Sequence, residues 1–195
     1  MSSNYPDVNK TWIDDNNLCW AAAASNALAY THWNRLFGEP SAEEIFTIFK
    51  TESDPGRQNR GWRAHLAIGW LLNDYYHLGV PIAEVVQDRS PFDLCLMKYS
   101  SPLLRAGGCG IFDIARDKQH QFGHDITFYD ISVISVTPDP RAVRSALCVD
   151  SDDNSTQTFN LNLEYNVSSR LYEISLRGES GFIFGWTAVQ PYPVV

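Results

Sequence analysis

Residues 14–36 read DDNNLCWAAAASNALAYTHWNRL: four consecutive alanines, then Leu28, Trp33 and Leu36. A stretch this apolar on every side predicts a buried helix, with Asp15, Asn16 or Asn17 as its cap. Ser41-Ala42-Glu43-Glu44 forms a capping box ahead of Ile45, Phe46, Ile48 and Phe49 and predicts a second helix. Residues 61–78 give a third, stopped by Gly79 and Pro81. Ser90-Pro91-Phe92-Asp93 reads as another helix start, with Pro91 at the first helical position.

After Gly107-Gly108 the period changes to two. His124-Ile126-Phe128, Phe159-Leu161-Leu163-Tyr165, Tyr172-Ile174-Leu176 and Phe182-Phe184-Trp186-Ala188 each alternate, and Ala146-Leu147-Cys148-Val149 is a short apolar strand. Helices first and strands afterwards define an α+β chain with a mostly antiparallel sheet. The helical part spans about 14–106 and the sheet part about 110–190. The join near Gly107–Gly110 is too short for a free linker, so the 195 residues read as one domain.

Composition narrows the function classes. Fifteen Lys and Arg against 23 Asp and Glu leave a net charge of −8, with no basic run to track phosphates, so nucleic acid is not an expected partner. No apolar stretch approaches the roughly 18 residues of a membrane helix. The opening MSSNYPDV lacks the basic head and apolar core of a signal peptide. The four cysteines, Cys19, Cys95, Cys109 and Cys148, are too few for a disulfide scaffold.

Cys19 is the most informative residue. It falls in the first turn of the buried helix, where orphan amides and the helix dipole favour a thiolate and can serve an oxyanion. Trp20 is placed to screen the sulfur from water. The competing reading is a small buried cysteine packing a helix start. His124 opens a strand after Gly123, a good mount for a general base, against the alternative of a satisfied core histidine. His120 and His124 have H-x₃-H spacing, but the run reads HQFGH, without the glutamate or the helix that a zinc site needs. The Asp150–Asn154 run starts like a calcium loop and then fails, with Ser155 at the glycine position and Leu161 at the terminal glutamate position.

Asp150 at a strand end can instead accept the imidazole Nδ1–H and fix its tautomer. Cys148 alternates with Asp150 and belongs beneath the site. Asp152, two residues beyond Asp150, shares its face if the strand continues. Helix-borne Cys, then strand-borne His, then a polar orienter is the papain-like order.

Three stretches resemble the immunoglobulin-degrading cysteine endopeptidases of the IdeS/Mac type. They are Lys10-Thr11-Trp12 with Asp14-Asp15 and Leu18-Cys19-Trp20-Ala21-Ala22, then Gly123-His124-Asp125-Ile126-Thr127-Phe128-Tyr129, then Val149-Asp150-Ser151-Asp152. The resemblance implies a papain-like fold and a peptidase acting on a protein or peptide substrate. Cys19 would be its nucleophile, His124 its base and Asp150 the orienter. Lys10 would join the Cys19 amide in the oxyanion hole, with Asp152 holding Lys10. It implies no metal or organic cofactor, and it implies secretion. This chain is shorter than those peptidases and carries Trp20 where they have glycine, so the resemblance reaches the peptidase machinery and not the immunoglobulin target. With Cys19 reserved, at most one bridge is expected, Cys95–Cys109. The same triad serves transglutaminases and deamidases, and a silent binding module with a buried Cys19 is the reading from another class.

Overall fold

The computed structural model describes residues 5–9, 17–54, 62–91, 94, 103–116, 123–135, 139–152 and 157–193. The helical half holds α1 (Cys19–Tyr30), α2 (Ala42–Glu52) and α3 (Ala64–Gly69), the last widening into a π-helical turn over Trp70–Tyr75. In α2 the expected capping box is made in full: Ser41 Oγ accepts from the Glu44 amide, and Glu44 accepts from the Ser41 amide at 2.7 Å. Beyond the π turn, Asn73 clamps Val80 through both its amide and its carbonyl, each at 2.8 Å, which closes the loop that Gly79 and Pro81 open. Among the described residues no helix is long and apolar enough to cross a membrane. The helix start at Ser90–Asp93 falls largely outside the described residues.

The strands are β1 (Val86–Arg89), β2 (Cys109–Ala115), β3 (Gly123–Val133), β4 (Val143–Val149), β5 (Phe159–Asn162), β6 (Glu164–Asn166), β7 (Leu171–Leu176) and β8 (Glu179–Val189). All pair antiparallel in one sheet of order β5-β4-β3-β2-β8-β7-β6, with β1 pairing the C-terminal half of β8. The chain is therefore mixed helix and sheet, as its change of period indicates. Bulges in β8, β3 and β4 raise the local twist, and the sheet curls into a near-barrel in which β5 meets β7. Tyr172 Oη on β7 donates to the Pro140 carbonyl just before β4 at 2.9 Å, across the same seam.

Each face of the sheet has its own core. Phe112, Ile114, Ile126, Phe128, Tyr172, Ile183 and Trp186 fill the barrel interior. Gly110 is required there: a Cβ at this position would lie 2.1 Å from the Phe128 ring, which stacks on Phe112 with centroids 4.1 Å apart. Cys109, Ile111, Tyr129, Val149 and Val189 point the other way and meet the helices. Helix α1 lies directly on this outer face because its contact surface is alanine. Ala21, Ala22, Ala24 and Ala27 are sealed, and Thr127 Oγ1 on β3 donates to the Ala23 carbonyl at 3.3 Å. The segment 5–9 is strapped across α1 by the Val8 amide on Asn26 Oδ1 at 2.9 Å and by Tyr5 stacked on Tyr129.

Two expectations change. The Cys95–Cys109 bridge does not form: Cys109 is a free thiol sealed between β2 and the helices, where burial drives its pKa far up, and Cys95 lies outside the described residues. The helical half is also not purely helical, because β1 crosses over to extend the sheet. Gly110→Ala tests the barrel interior. Overpacking against Phe128 is expected to cost about 1–3 kcal/mol, read as a lower urea midpoint at unchanged m-value.

Candidate active site

The polypeptide brings three of the sequence-identified residues together at one end of the helix–sheet interface. Cys19 is the first residue of α1. The N-cap is Leu18, not the expected Asp15, Asn16 or Asn17; it offers no side-chain cap, and the first turn carries no acidic residue. No acid from within the helix competes for the positive end of the dipole, and the intrahelical bonds begin only with the Ala21 and Ala22 amides on the Leu18 carbonyl, each at 3.0 Å. Trp20, expected beside the sulfur, is spent in the helical core, edge-on to Phe49 and Trp62 at 5.5 Å each.

His124 is the second residue of β3 and Asp150 follows the last residue of β4, so the β3–β4 pairing sets them side by side. His124 Nε2 meets Asp150 Oδ1 at 2.8 Å, and the imidazole is also hydrogen-bonded to the Cys19 side chain. The expected Nδ1 contact to Asp150 is thus reversed. Nε2 is committed to the carboxylate, which leaves Nδ1 as the ring nitrogen for sulfur. The reason is topological: Asp150 lies beyond the strand end, on the side of the ring away from α1. Burial alone would depress the imidazole; the hydrogen bonds to Asp150 and Cys19 and their negative charges outweigh it and hold the ring up at about 10. Asp150 is 1% exposed. Burial pushes it up, but His124, the Asp152 amide and Arg177 together bring it below the usual aspartate value.

Asp152 reaches the site by a different route from the one its spacing suggests. Strand β4 ends at Val149, and Asp150 Oδ1 accepts from the Asp152 amide at 3.1 Å, an Asx turn that folds Asp152 back. Its expected partner, Lys10, lies outside the described residues. Arg177, which no motif marks, sits between the two carboxylates: Nη2 is 2.8 Å from Asp150 Oδ2 and Nη1 is 3.9 Å from Asp152 Oδ2. Its sequence signal is an Arg-Gly dipeptide between two alternating runs, which marks a turn but not what the turn side chain reaches. The ligand-capable atoms of His124, Asp150 and Asp152 lie within 4.8 Å of one another. A cation would find that space already met by a guanidinium and by the imidazole's commitment to Asp150.

A second polar group on the outer face of the sheet also escaped the sequence reading. Asp113 on β2 and Asp125 on β3 are directly paired across the strands, part-buried and hydrogen-bonded to each other. Gly185 makes room for them, since a Cβ there would stand 2.9 Å from Asp113 Oδ2. Asp88 on β1 continues the row, with Thr187 Oγ1 at 3.1 Å and His65 Nδ1 of α3 at 2.8 Å. Burial and the nearby charge of Asp88 raise Asp113 to about 6, against partial relief from Arg63 and the Asp125 bond. Burial, Cys19 and Asp113 raise Asp125 well above the ordinary range. Two carboxyls this close hold one proton between them at neutral pH.

No protein-family model and no curated protein matches the chain. The reading of the site therefore rests on its geometry and on the motif residues.

The carboxyl pair generates a stability test. An acid that binds its proton more tightly when folded favours folding below its ordinary value of 3.8, and loses that advantage as pH rises through about 6. Asp113→Asn keeps a hydrogen-bonding group beside Asp125 without the charge. It is expected to match or fall below wild type at pH 4 and to exceed it by ~1–3 kcal/mol above pH 7. Denaturant melts at both pH values check this, and a variant less stable at pH 7.5 would refute the buried charge.

Proposed function

We propose that the protein is a cysteine peptidase of papain-like organisation, with Cys19 as nucleophile, His124 as general acid and base, and Asp150 as orienter. The observation that carries this reading is His124, hydrogen-bonded to the thiol on one side and to a buried carboxylate on the other. An imidazole held up at about 10 is protonated at neutral pH, which suits a thiolate–imidazolium pair. The place of Cys19 in the first turn of α1 adds to this, since the helix dipole there favours a thiolate and first-turn amides suit an oxyanion.

In the mechanism the Cys19 thiolate attacks the scissile carbonyl and the carbon becomes tetrahedral, with negative charge on oxygen facing the α1 amides. Lys10 is the proposed further donor to that oxygen. A lysine stem is flexible, and Asp152 is its proposed anchor. The His124 imidazolium gives its proton to the leaving amine, which departs and leaves a thioester. Neutral His124 then takes a proton from water as the water attacks the thioester, releasing the acid and restoring the pair. Asp150 keeps the ring in register and stabilises its charged form throughout.

The reading has separable tests. Iodoacetamide at pH 6, below the ordinary thiol value of about 8.5, is expected to label Cys19 well ahead of the sealed Cys109 and Cys148. Equal labelling would remove the nucleophile. Against a denatured peptide pool, wild type is expected to yield cleaved products and Cys19→Ala none; a mass gain of about one dalton or a crosslink in place of cleavage would assign acyl transfer instead.

The two aspartates should differ in their lesions. Asp150→Asn is expected to slow both low-pH alkylation and turnover, the latter by at least ~100-fold. Lys10→Ala and Asp152→Ala should leave alkylation near normal while turnover falls ~100–1,000-fold. Their double variant should be little worse than either single, and multiplicative losses would separate Lys10 from Asp152.

A further inference from the structure

Arg177 and Gly178 are the two residues that join β7 to β8, with Leu176 paired to Glu179 across the turn. Both have positive φ, 54° at Arg177 and 81° at Gly178. A two-residue hairpin of this kind favours Asn-Gly or Asp-Gly, because a side chain at the first position must adopt the left-handed region. An arginine there is the poorer choice for the turn. What it gains is reach. From the hairpin its guanidinium crosses to the end of β4 and lies 2.8 Å from the Asp150 oxygen that His124 does not use.

Resting on the reading of Cys19, His124 and Asp150 as a triad, we propose that Arg177 is its positioning residue: by gripping Asp150 Oδ2 it keeps Oδ1 on His124 Nε2. Asp150 stands beyond the last residue of β4, so its side chain is placed by its own polar contacts. The Asx bond from the Asp152 amide falls on the same Oδ1 that meets the imidazole, which leaves Oδ2 to the guanidinium. Arg177 spans Asp150 and Asp152 together, with its planar fork presenting a separate nitrogen to each carboxylate. The titratable groups facing the imidazole are Cys19 from α1, Asp125 from its own strand, and Asp150 and Asp152 from the turn after β4, with the Arg177 guanidinium behind the two aspartates.

The sign of one measurement separates positioning from mere proximity. Arg177 is a cation near His124, so removing its charge alone would make the imidazole easier to protonate and raise its titration midpoint. Releasing Asp150 has the opposite effect, because the ring loses the hydrogen bond and the carboxylate that hold it up. The test is an NMR titration of His124 in the full chain, wild type against Arg177→Asn. The wild-type midpoint is expected at about 10, and the variant's at least one pH unit lower.

Asparagine tolerates the left-handed position, so the melting temperature of the variant should be unchanged or higher. Alkylation of Cys19 by iodoacetamide at pH 6 should stay near the wild-type rate, because a ring that titrates one unit lower is still protonated at that pH. An unchanged or raised midpoint in a folded variant overturns the proposal. Should Arg177→Asn fail to fold, Arg177→Gly, which the turn accepts most readily, carries the same comparison. A wild-type chain in which Cys19 is not favoured by the reagent would remove the nucleophile while the His124 titration still decides Arg177.

Discussion

Everything at the site depends on how closely α1 can lie on the sheet. Cys19 belongs to a helix and His124 to a strand, and neither local structure brings them together. The closeness comes from Ala21, Ala22, Ala24 and Ala27, which present methyl groups where a larger residue would stand the helix off. Thr127 then ties the strand to the Ala23 carbonyl, three residues along β3 from the imidazole. Interiors pack as densely as organic crystals, so one added methylene between α1 and β3 is felt at the sulfur. The alanine run is the spacer that sets the distance between Cys19 and His124.

The same interface changes character along its length. Near Tyr129 and Val149 it is wholly apolar, and around Cys19 it becomes a row of ionisable groups: His124, Asp125, Asp113, Asp88 and His65. Such a row is costly to bury, and the fold meets the cost differently at each pair. Asp150 keeps its charge because an imidazolium and a guanidinium face it. Burial at Asp113 and Asp125 outweighs the relief they draw from the exposed Arg63 and, at Asp125, from His124, so a retained proton takes the place of a counterion. A neutral acid beside Cys19 also spares a thiolate the repulsion of a second anion.

Local features were legible in the sequence, and distant pairings were not. The Ser41 capping box, the buried alanine helix and the alternating strands are each specified by neighbours within a few positions, and all appear where their patterns fall. The meeting of His124 with Cys19 and Asp150 was anticipated because three residue types in chain order match a known resemblance. Strand β1 was not: Val86-Gln87-Asp88-Arg89 has no alternation, and only its pairing with β8 makes it a strand. The cap at Leu18 went unread because the nearby Asp and Asn residues are better caps on propensity alone. Arg177 and the Asp113–Asp125 pair are products of topology, set by which hairpin turns toward which strand end. The Cys95–Cys109 bridge failed because counting cysteines carries no information about where the Cys109 thiol is buried.

Strand β1 has a mechanical consequence. If the helical and sheet halves met only through the chain near Gly107–Gly110, they would be free to open about that point like the covers of a book. Instead the chain is stitched twice. It leaves the helices as β1, hydrogen-bonds along the far edge of β8, and enters the sheet again at β2 on the opposite edge of that same strand. Strand β8 is thus clasped from both sides by segments that flank the join, and the join has no hinge to offer. The two halves are thereby held at one separation, and moving them apart requires breaking the ladder along an edge of β8.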